Sequence, residues 1–118
     1  MPYVDGFIVA VPKKNLAAYA QLSKKAGKIW REHGALEYRE CVVEDVNVKY
    51  GVPFTRAVKM KPGDTVVFAW IVFKSRSHRD RVNALVMNDP RLSMDDAADM
   101  PVDIKRMVYG GFNVLVDV

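Results

Sequence analysis

One run of residues near the middle of the chain restricts the fold more than any other: TVVFAWIVF, from Thr65 to Phe73. Apolar side chains occupy both of its alternating sets of positions, whereas a strand with one face in water alternates apolar with polar residues. We therefore predict a central strand that is buried on both faces. A chain of 118 residues, of which 50% are hydrophobic, is long enough to bury such a strand within one domain spanning residues 1–118.

Three further segments have the residue pattern of strands. Residues 3–11 are β-branched and aromatic and stop at Pro12, which cannot donate a hydrogen bond to a sheet. Residues 36–46 mix polar and apolar positions, as an edge strand does when one side meets water. Residues 107–118 predict a last strand, in which Gly110 and Gly111 indicate a bulge or a close approach of two backbones.

Two segments have helical periodicity, with apolar residues recurring at spacings of three and four. The first helix is predicted from Asn15, its N-cap, to about His33, and Gly34 follows as its stop. The second begins after Ser75 or Ser77 and ends near Asn88, before Pro90. The predicted inner stripe of this helix is His78, Val82, Leu85 and Val86. The connections are predicted at 47–63 and 89–103.

These elements follow one another as βαββαβ, which is the ferredoxin-like pattern: an α+β fold with a four-stranded antiparallel sheet and both helices on one face. The opposite face should then alternate to polar residues, but the central strand and Val114, Leu115 and Val116 are apolar on both sides. An apolar face of that size is not left in water. Because a second copy packed sheet to sheet about a two-fold axis would cover it, we predict a homodimer.

Composition excludes several classes of protein and site. The one cysteine, Cys41, cannot form an internal disulfide and fits a reducing cytoplasm. We predict a cytoplasmic protein, because the N-terminus lacks a signal peptide and no apolar stretch approaches the roughly 20 residues that span a bilayer. The spacings HxxxH, HExxH and CxxC are absent, so we expect neither a metal nor another cofactor.

Taken in chain order, several short motifs of the sequence are similar to those of a known family. They are YVDGF at 3–7, HGA at 33–35, EC at 40–41, TRAVK at 55–59, TVVFAWI at 65–71, RD at 79–80, NDPR at 88–91 and DMPVDIKRMVYGGF at 99–112. Together they resemble the YbaA-like family (domain of unknown function 1428), within the dimeric α/β-barrel superfamily. The resemblance runs nearly end to end and implies the same ferredoxin-like dimer. Only residues 42–54 depart from the family pattern, so the resemblance does not define the shape of a pocket entrance built by that loop.

The resemblance also implies classes of function. Other members of the superfamily resemble cofactor-independent monooxygenases, isomerases and lyases, haem enzymes and ligand-sensing domains, and a shared fold does not transmit a reaction. Our leading hypothesis is a small-molecule enzyme, similar to a cofactor-independent monooxygenase or isomerase, or a small-ligand-binding protein. The pocket would lie between helices and sheet in each subunit, and whether the protein is an enzyme stays open.

The catalytic candidates are Asp5, Arg106 and Tyr109. Asp5 lies on the first strand and Arg106 leads into the last, which should be its neighbour. A carboxylate and an arginine on neighbouring strands can form a partly buried pair that orients a polar substrate. The alternative is a structural salt bridge that fixes the loop between Asp99 and Arg106.

The candidates for ligand binding are Trp30, Arg56, Trp70 and His78. Trp30 and Trp70, with Tyr19 and Tyr109, can line an aromatic pocket, although aromatic residues at such spacings are commonly core. Arg56 lies in a loop and inside a family-like motif, where it either binds a ligand or is solvated. His78, on the inner stripe of the second helix, is either a ligand-binding residue or a core histidine satisfied by a neighbour. His33 reads as a capping residue at a helix end.

Charge is segregated along the chain, and this supports a second hypothesis. Residues 13–33 and 74–81, both in the predicted helix layer, are basic, whereas 89–103 hold five aspartates and one arginine. Arg76, Arg79 and Arg81 crowd a helix N-terminus, where the helix dipole disfavours cations, so we expect an anion or an acidic neighbour there. The alternative function is an interaction module that binds nucleic acid or an acidic partner through its basic helix face. The recognisable RNA-binding patterns are absent, so nucleic acid is the less favoured partner.

Overall fold

The computed structural model describes residues 1–92 and 102–118, and in them the predicted order of elements is present. The strands are β1 (Tyr3–Pro12), β2 (Glu37–Val42), β3 (Asp64–Phe73) and β4 (Val108–Asn113). The helices are α1 (Leu16–Glu32), a one-turn α2 (Phe54–Ala57) and α3 (Arg76–Met87). The strands form one antiparallel sheet in the order β2-β3-β1-β4, which is the ferredoxin-like topology.

The helix-facing side of β3 is buried as predicted, whereas Phe68 on its outer face is exposed in the single chain. β3 pairs along its whole length with β1 on one side and, from Val67 to Val72, with β2 on the other. On the helix-facing side of the sheet, Ile71 and Phe73 of β3 join Ile29 of α1 and Val82 and Val86 of α3 in the main core. Burial of these aliphatic and aromatic side chains fixes both helices on the same face.

Within residues 1–92 and 102–118, the opposite face of the sheet is covered only at one end. There Val58, which follows α2, packs against Ala10 and Val66. Towards the middle of this face, Phe68 stays 41% exposed and Phe112 59% exposed. Much of this outer face is therefore apolar and accessible in the single chain.

Two sequence predictions about strand ends were wrong. β2 ends at Val42 and β4 at Asn113, both earlier than predicted, so Leu115 and Val116 lie exposed beyond the sheet. Gly110 and Gly111 stay in continuous register with β1, so a bulge does not form, and the group that approaches the Gly111 backbone closely is the Tyr3 side chain. A Cβ on Gly111 would collide with the Tyr3 hydroxyl, which explains why a glycine suits that position.

The inner stripe of α3 was predicted correctly except at one position. His78, Val82 and Val86 are buried, whereas Leu85 is 47% exposed. Ser75 is the cap: its hydroxyl accepts a hydrogen bond from the His78 backbone N–H at 3.1 Å. At the predicted end of α1, Gly34 has a φ of 119°, a conformation that favours glycine.

Candidate functional site: a cavity between α1 and the sheet

A cavity of about 240 Å³ lies between α1 and the helix-facing side of the sheet. Alternating residues of β1, β2 and β3 form its floor, and the inner stripe of α1 forms its roof. The described residues that line it are Phe7, Val9, Tyr19, Leu22, Ser23, Ala26, Trp30, Tyr38, Glu40, Ala69, Trp70, Ile71, Val102, Ile104 and Met107. This volume is just under the roughly 300 Å³ at which ordinary ligand pockets begin, so any occupant is small.

The Glu40 carboxylate is the polar centre of this cavity. One of its oxygens accepts a hydrogen bond from the Tyr19 hydroxyl, and the other accepts one from the Tyr38 hydroxyl at 2.7 Å. Burial, followed by the adjacent Glu40, raises the pKa of Tyr19 and of Tyr38 well above the usual range for tyrosine. Both tyrosines therefore keep their protons and act as donors that hold the carboxylate in place.

The backbone of α1 is shaped to admit one of these tyrosines. Tyr38 and Glu40 are two residues apart on β2, so both point to the helix-facing side. A Cβ on Gly27 would lie 2.6 Å from the Tyr38 ring, so only glycine lets the ring lie this close to the helix. The Trp30 ring lies 6.0 Å from the Tyr38 ring, centroid to centroid, and completes the aromatic wall.

A hydrogen-bonded network extends from Trp30 to the start of α3. The Trp30 indole donates to Asn83 at 3.0 Å, and Asn83 donates in turn to Asp5 at 3.4 Å. Asp5 also accepts from the Arg79 guanidinium at 2.8 Å. The network fixes the orientation of the indole at the cavity wall, because Asn83, which accepts the indole N–H, is itself held by Asp5.

The predicted pair of Asp5 with Arg106 does not form. Arg106 donates to Asp64 at 2.9 Å, to Asp103 at 3.2 Å and to the Lys59 carbonyl at 3.0 Å. Asp5 points instead towards α3, because odd-numbered residues of β1 face the helices. The expected acidic neighbour of the α3 arginines is therefore present for Arg79: it is Asp5, together with Asp80 at 2.8 Å.

Of the other predicted site residues, Trp30 lines the cavity with its side chain. Trp70 belongs to the strand beneath the cavity, but its indole lies on the outer face, where it donates to Glu37 at 3.2 Å and packs near Phe68. Tyr109 is 71% exposed and stacks on Phe7. Arg56 is exposed on α2 and does not line the cavity.

The contacts of His78 indicate a structural role. Its Nδ1 accepts a hydrogen bond from the Lys74 backbone N–H at 3.0 Å, and its ring meets Phe73 edge-on. Burial, followed by the charges of Arg81 and Lys74, lowers the pKa of His78, so the ring is neutral near pH 7. His33, at the end of α1, pairs with Asp89 at 2.8 Å.

Sequence reasoning missed the two residues that give the cavity its polar centre, Tyr38 and Glu40. The available signal was the alternation of β2, which sets Tyr38, Glu40 and Val42 on one side of the strand. The segment was predicted as an edge strand with one side in water, and its residue pattern does not indicate which side contacts α1. Tyr19 was named as an aromatic pocket residue and does line the cavity.

A second and larger depression, of about 1040 Å³, runs outside the cavity between α1 and the edge strand β2. It shares Tyr19, Tyr38 and Glu40 with the cavity, so the carboxylate lies where the two spaces meet. The charged residues along its helix side are three basic ones, Lys24, Lys28 and Arg31, and one acidic one, Glu32. Among the described residues, every helix is too short or too polar to cross a bilayer.

Comparison with known proteins identifies the chain's relatives. A family model described as "Protein of unknown function (DUF1428)" matches residues 2–104. The uncharacterized protein YbaA of Escherichia coli K12 is 43% identical over 117 residues, covering 99% of both chains, and YbaA of E. coli O157:H7 and of Shigella flexneri match equally.

Among solved structures, a dimeric ferredoxin-like protein from an uncultured marine organism matches over 100% of both chains, with a TM-score of 0.64 and 13% sequence identity. At that identity the likeness concerns the fold alone, and it agrees with the strand order described above. The family model and the whole-length identity to YbaA go further, and the chain belongs to the DUF1428 family.

Proposed function

We propose that this protein binds a small organic molecule in the cavity between α1 and the sheet. The observation that carries the proposal is a preformed space lined by aromatic and aliphatic side chains around one oriented carboxylate, Glu40. Ligand sites commonly have this composition, with a few polar groups fixed in an apolar pocket. Trp30 is the residue predicted for ligand binding that we retain at this site.

An enzymatic form of the proposal assigns the chemistry to Glu40. A carboxylate that is held in place by two protonated tyrosines can accept a proton from a bound substrate. Such chemistry needs no cofactor, in keeping with an isomerase-like or cofactor-independent monooxygenase-like reaction. Asp5 and Arg79 would act only through Trp30, as positioning residues.

We also propose that the working unit is a homodimer in the cytoplasm. The support for the dimer is the apolar outer face, where Phe54, Phe68 and Trp70 form a chain of ring contacts at 5.6 and 5.5 Å. A similar fold is described as dimeric in the marine ferredoxin-like protein. The cytoplasmic location rests on the single, unpaired Cys41.

The test of ligand binding is a thermal-shift screen of small aromatic and aliphatic molecules against three proteins. They are the wild type, Ala26→Phe, which fills the cavity, and Ala18→Phe, which adds the same side chain on the exposed side of α1. Binding in the cavity predicts that compounds raising the Tm of the wild type and of A18F leave A26F unchanged. The proposal fails if no compound acts, or if A26F responds like the wild type.

A second candidate function is favoured by one observation: Lys24, Lys28 and Arg31 line the helix side of the larger depression. An acidic partner or nucleic acid could bind there through charge. A gel-shift assay across a salt series tests this candidate, because phosphate contacts predict a steep loss of affinity as salt rises. Absence of binding at low salt removes it.

A further inference from the structure

The cavity holds an anionic group, Glu40, that forms no ion pair with a cation of the described residues, although Lys24 and Lys28 line the adjoining larger depression. Glu40 is the one charged residue among the described residues that line the cavity, and its hydrogen-bond donors, Tyr19 and Tyr38, are neutral. The described ion pairs all lie elsewhere. Two hydroxyl donors leave acceptor positions of the carboxylate free, because an ionised carboxylate offers about four.

The segment that follows α3 does not supply a counter-charge either. Residues 93–101, which border the cavity residue Val102 in sequence, read SMDDAADMP and contain three aspartates but no lysine, arginine or histidine. A half-buried anion without a cation is stabilised by a ligand that brings one.

The walls beside Glu40 suit a cation as well. Trp30, Tyr38, Tyr19 and Phe7 present aromatic rings to the cavity. Aromatic faces attract ammonium groups, and the attraction is stronger where water is excluded. Apart from Ser23, the other described residues of the lining are apolar and fit an apolar body attached to the charged group.

We infer that the ligand of this cavity is a small amine, bound as its ammonium ion, with the nitrogen at Glu40 and an apolar body between α1 and the sheet. This inference rests on the proposed function and specifies its ligand class. The Glu40 carboxylate accepts hydrogen bonds from the ammonium group, Tyr19 and Tyr38 hold the carboxylate in position, and the cavity volume limits the ligand to a single small ring or a short chain.

The test compares three probes of one shape and different charge: benzylamine, benzyl alcohol and benzoate. A Trp70→Phe background leaves Trp30, at the cavity wall, as the one tryptophan reporter of binding. At pH 7 and constant ionic strength, benzylamine should bind roughly tenfold more tightly than benzyl alcohol, because its hydrogen bonds to Glu40 are charge-assisted, and benzoate should bind most weakly.

The Glu40→Gln variant should bind benzylamine and benzyl alcohol equally. The matched control is Glu37→Gln, which removes the same charge from β2 but on the outer face, and it should keep the preference. The wild-type order of affinities decides the inference even if E40Q fails to fold. Equal binding of the three probes, or tighter binding of benzoate, overturns the amine assignment while leaving the cavity a ligand site.

If none of the three probes binds to the wild-type cavity, the amine assignment is also overturned. The proposed function is then judged separately by the screen with A26F and A18F, which includes neutral and acidic compounds. Retention of the benzylamine preference in E40Q would place the recognised charge elsewhere and would equally overturn the inference.

Discussion

The Asp5 carboxylate of β1 accepts a hydrogen bond of 2.8 Å from the Arg79 guanidinium of α3. Both side chains are largely withdrawn from water, and the guanidinium also lies 4.9 Å from the centre of the Tyr3 ring. The pair joins the centre of the sheet to the first turn of α3. It also compensates an arginine at a helix N-terminus, where the dipole is unfavourable to a cation.

This pair should contribute strongly to stability. Replacement of Asp5 by alanine leaves a buried guanidinium without its main anion, and we expect the free energy of unfolding in urea to fall by about 3 kcal/mol. The control is Asp80→Ala, which removes the other, exposed partner of Arg79 and should cost less than about 1 kcal/mol. Equal losses in D5A and D80A would contradict the structural role of the buried pair.

Gly27 should reverse the usual ranking of helix residues. Alanine is favoured over glycine within a helix by about 1 kcal/mol, but here its Cβ would meet the Tyr38 ring. Gly27→Ala should therefore destabilise the protein by about 1–3 kcal/mol in urea unfolding.

The matched experiment removes the Tyr38 ring. In a Tyr38→Val background the Cβ has space, so adding Gly27→Ala should stabilise that background by up to about 1 kcal/mol. A stabilising effect of G27A in the presence of Tyr38 would show that the ring does not press on the helix as described.

Stability should depend on pH through His78. Burial and the charges of Arg81 and Lys74 lower its pKa in the folded protein, so the unfolded chain binds the proton more tightly. The stabilising effect is complete above the unfolded pKa of about 6.5 and is lost as the pH falls from there towards the lower folded value.

The measurement is urea unfolding at a series of pH values between about 7 and 5. His78→Asn keeps a side-chain acceptor for the Lys74 N–H but does not titrate, so its stability should change less over this window than that of the wild type. Parallel pH curves for the two proteins would contradict the lowered pKa.

The proposed dimer makes a prediction about mass. Sedimentation at micromolar concentration should give twice the chain mass of 13.3 kDa. Phe68→Glu on the outer face of the sheet should give the monomer, because a charge buried in the interface would be unpaired. The control, Leu85→Glu, changes an equally exposed apolar residue on α3 and should stay dimeric. A wild-type mass of one chain would contradict the dimer.

The amino-acid sequence by itself determined the order of elements and that β3 is a central strand. Apolar residues on both faces of β3, the three-and-four spacing in α1 and a serine cap at Ser75 or Ser77 are local patterns, and each indicates one local structure. The family resemblance also came from contiguous motifs. These inferences needed no knowledge of which distant residues meet.

Only the tertiary structure decided which charged groups pair and where the cavity lies. Asp5 lies on β1 and Arg106 lies in the turn just before the neighbouring strand β4, yet the parity of β1 turns Asp5 towards Arg79 while Arg106 reaches Asp64. Likewise, Tyr19 and Glu40 are 21 residues apart, and their contact depends on the angle at which α1 crosses β2. Side-chain pairing depends on register and helix placement, which arise from packing of the whole core, and no local pattern encodes them.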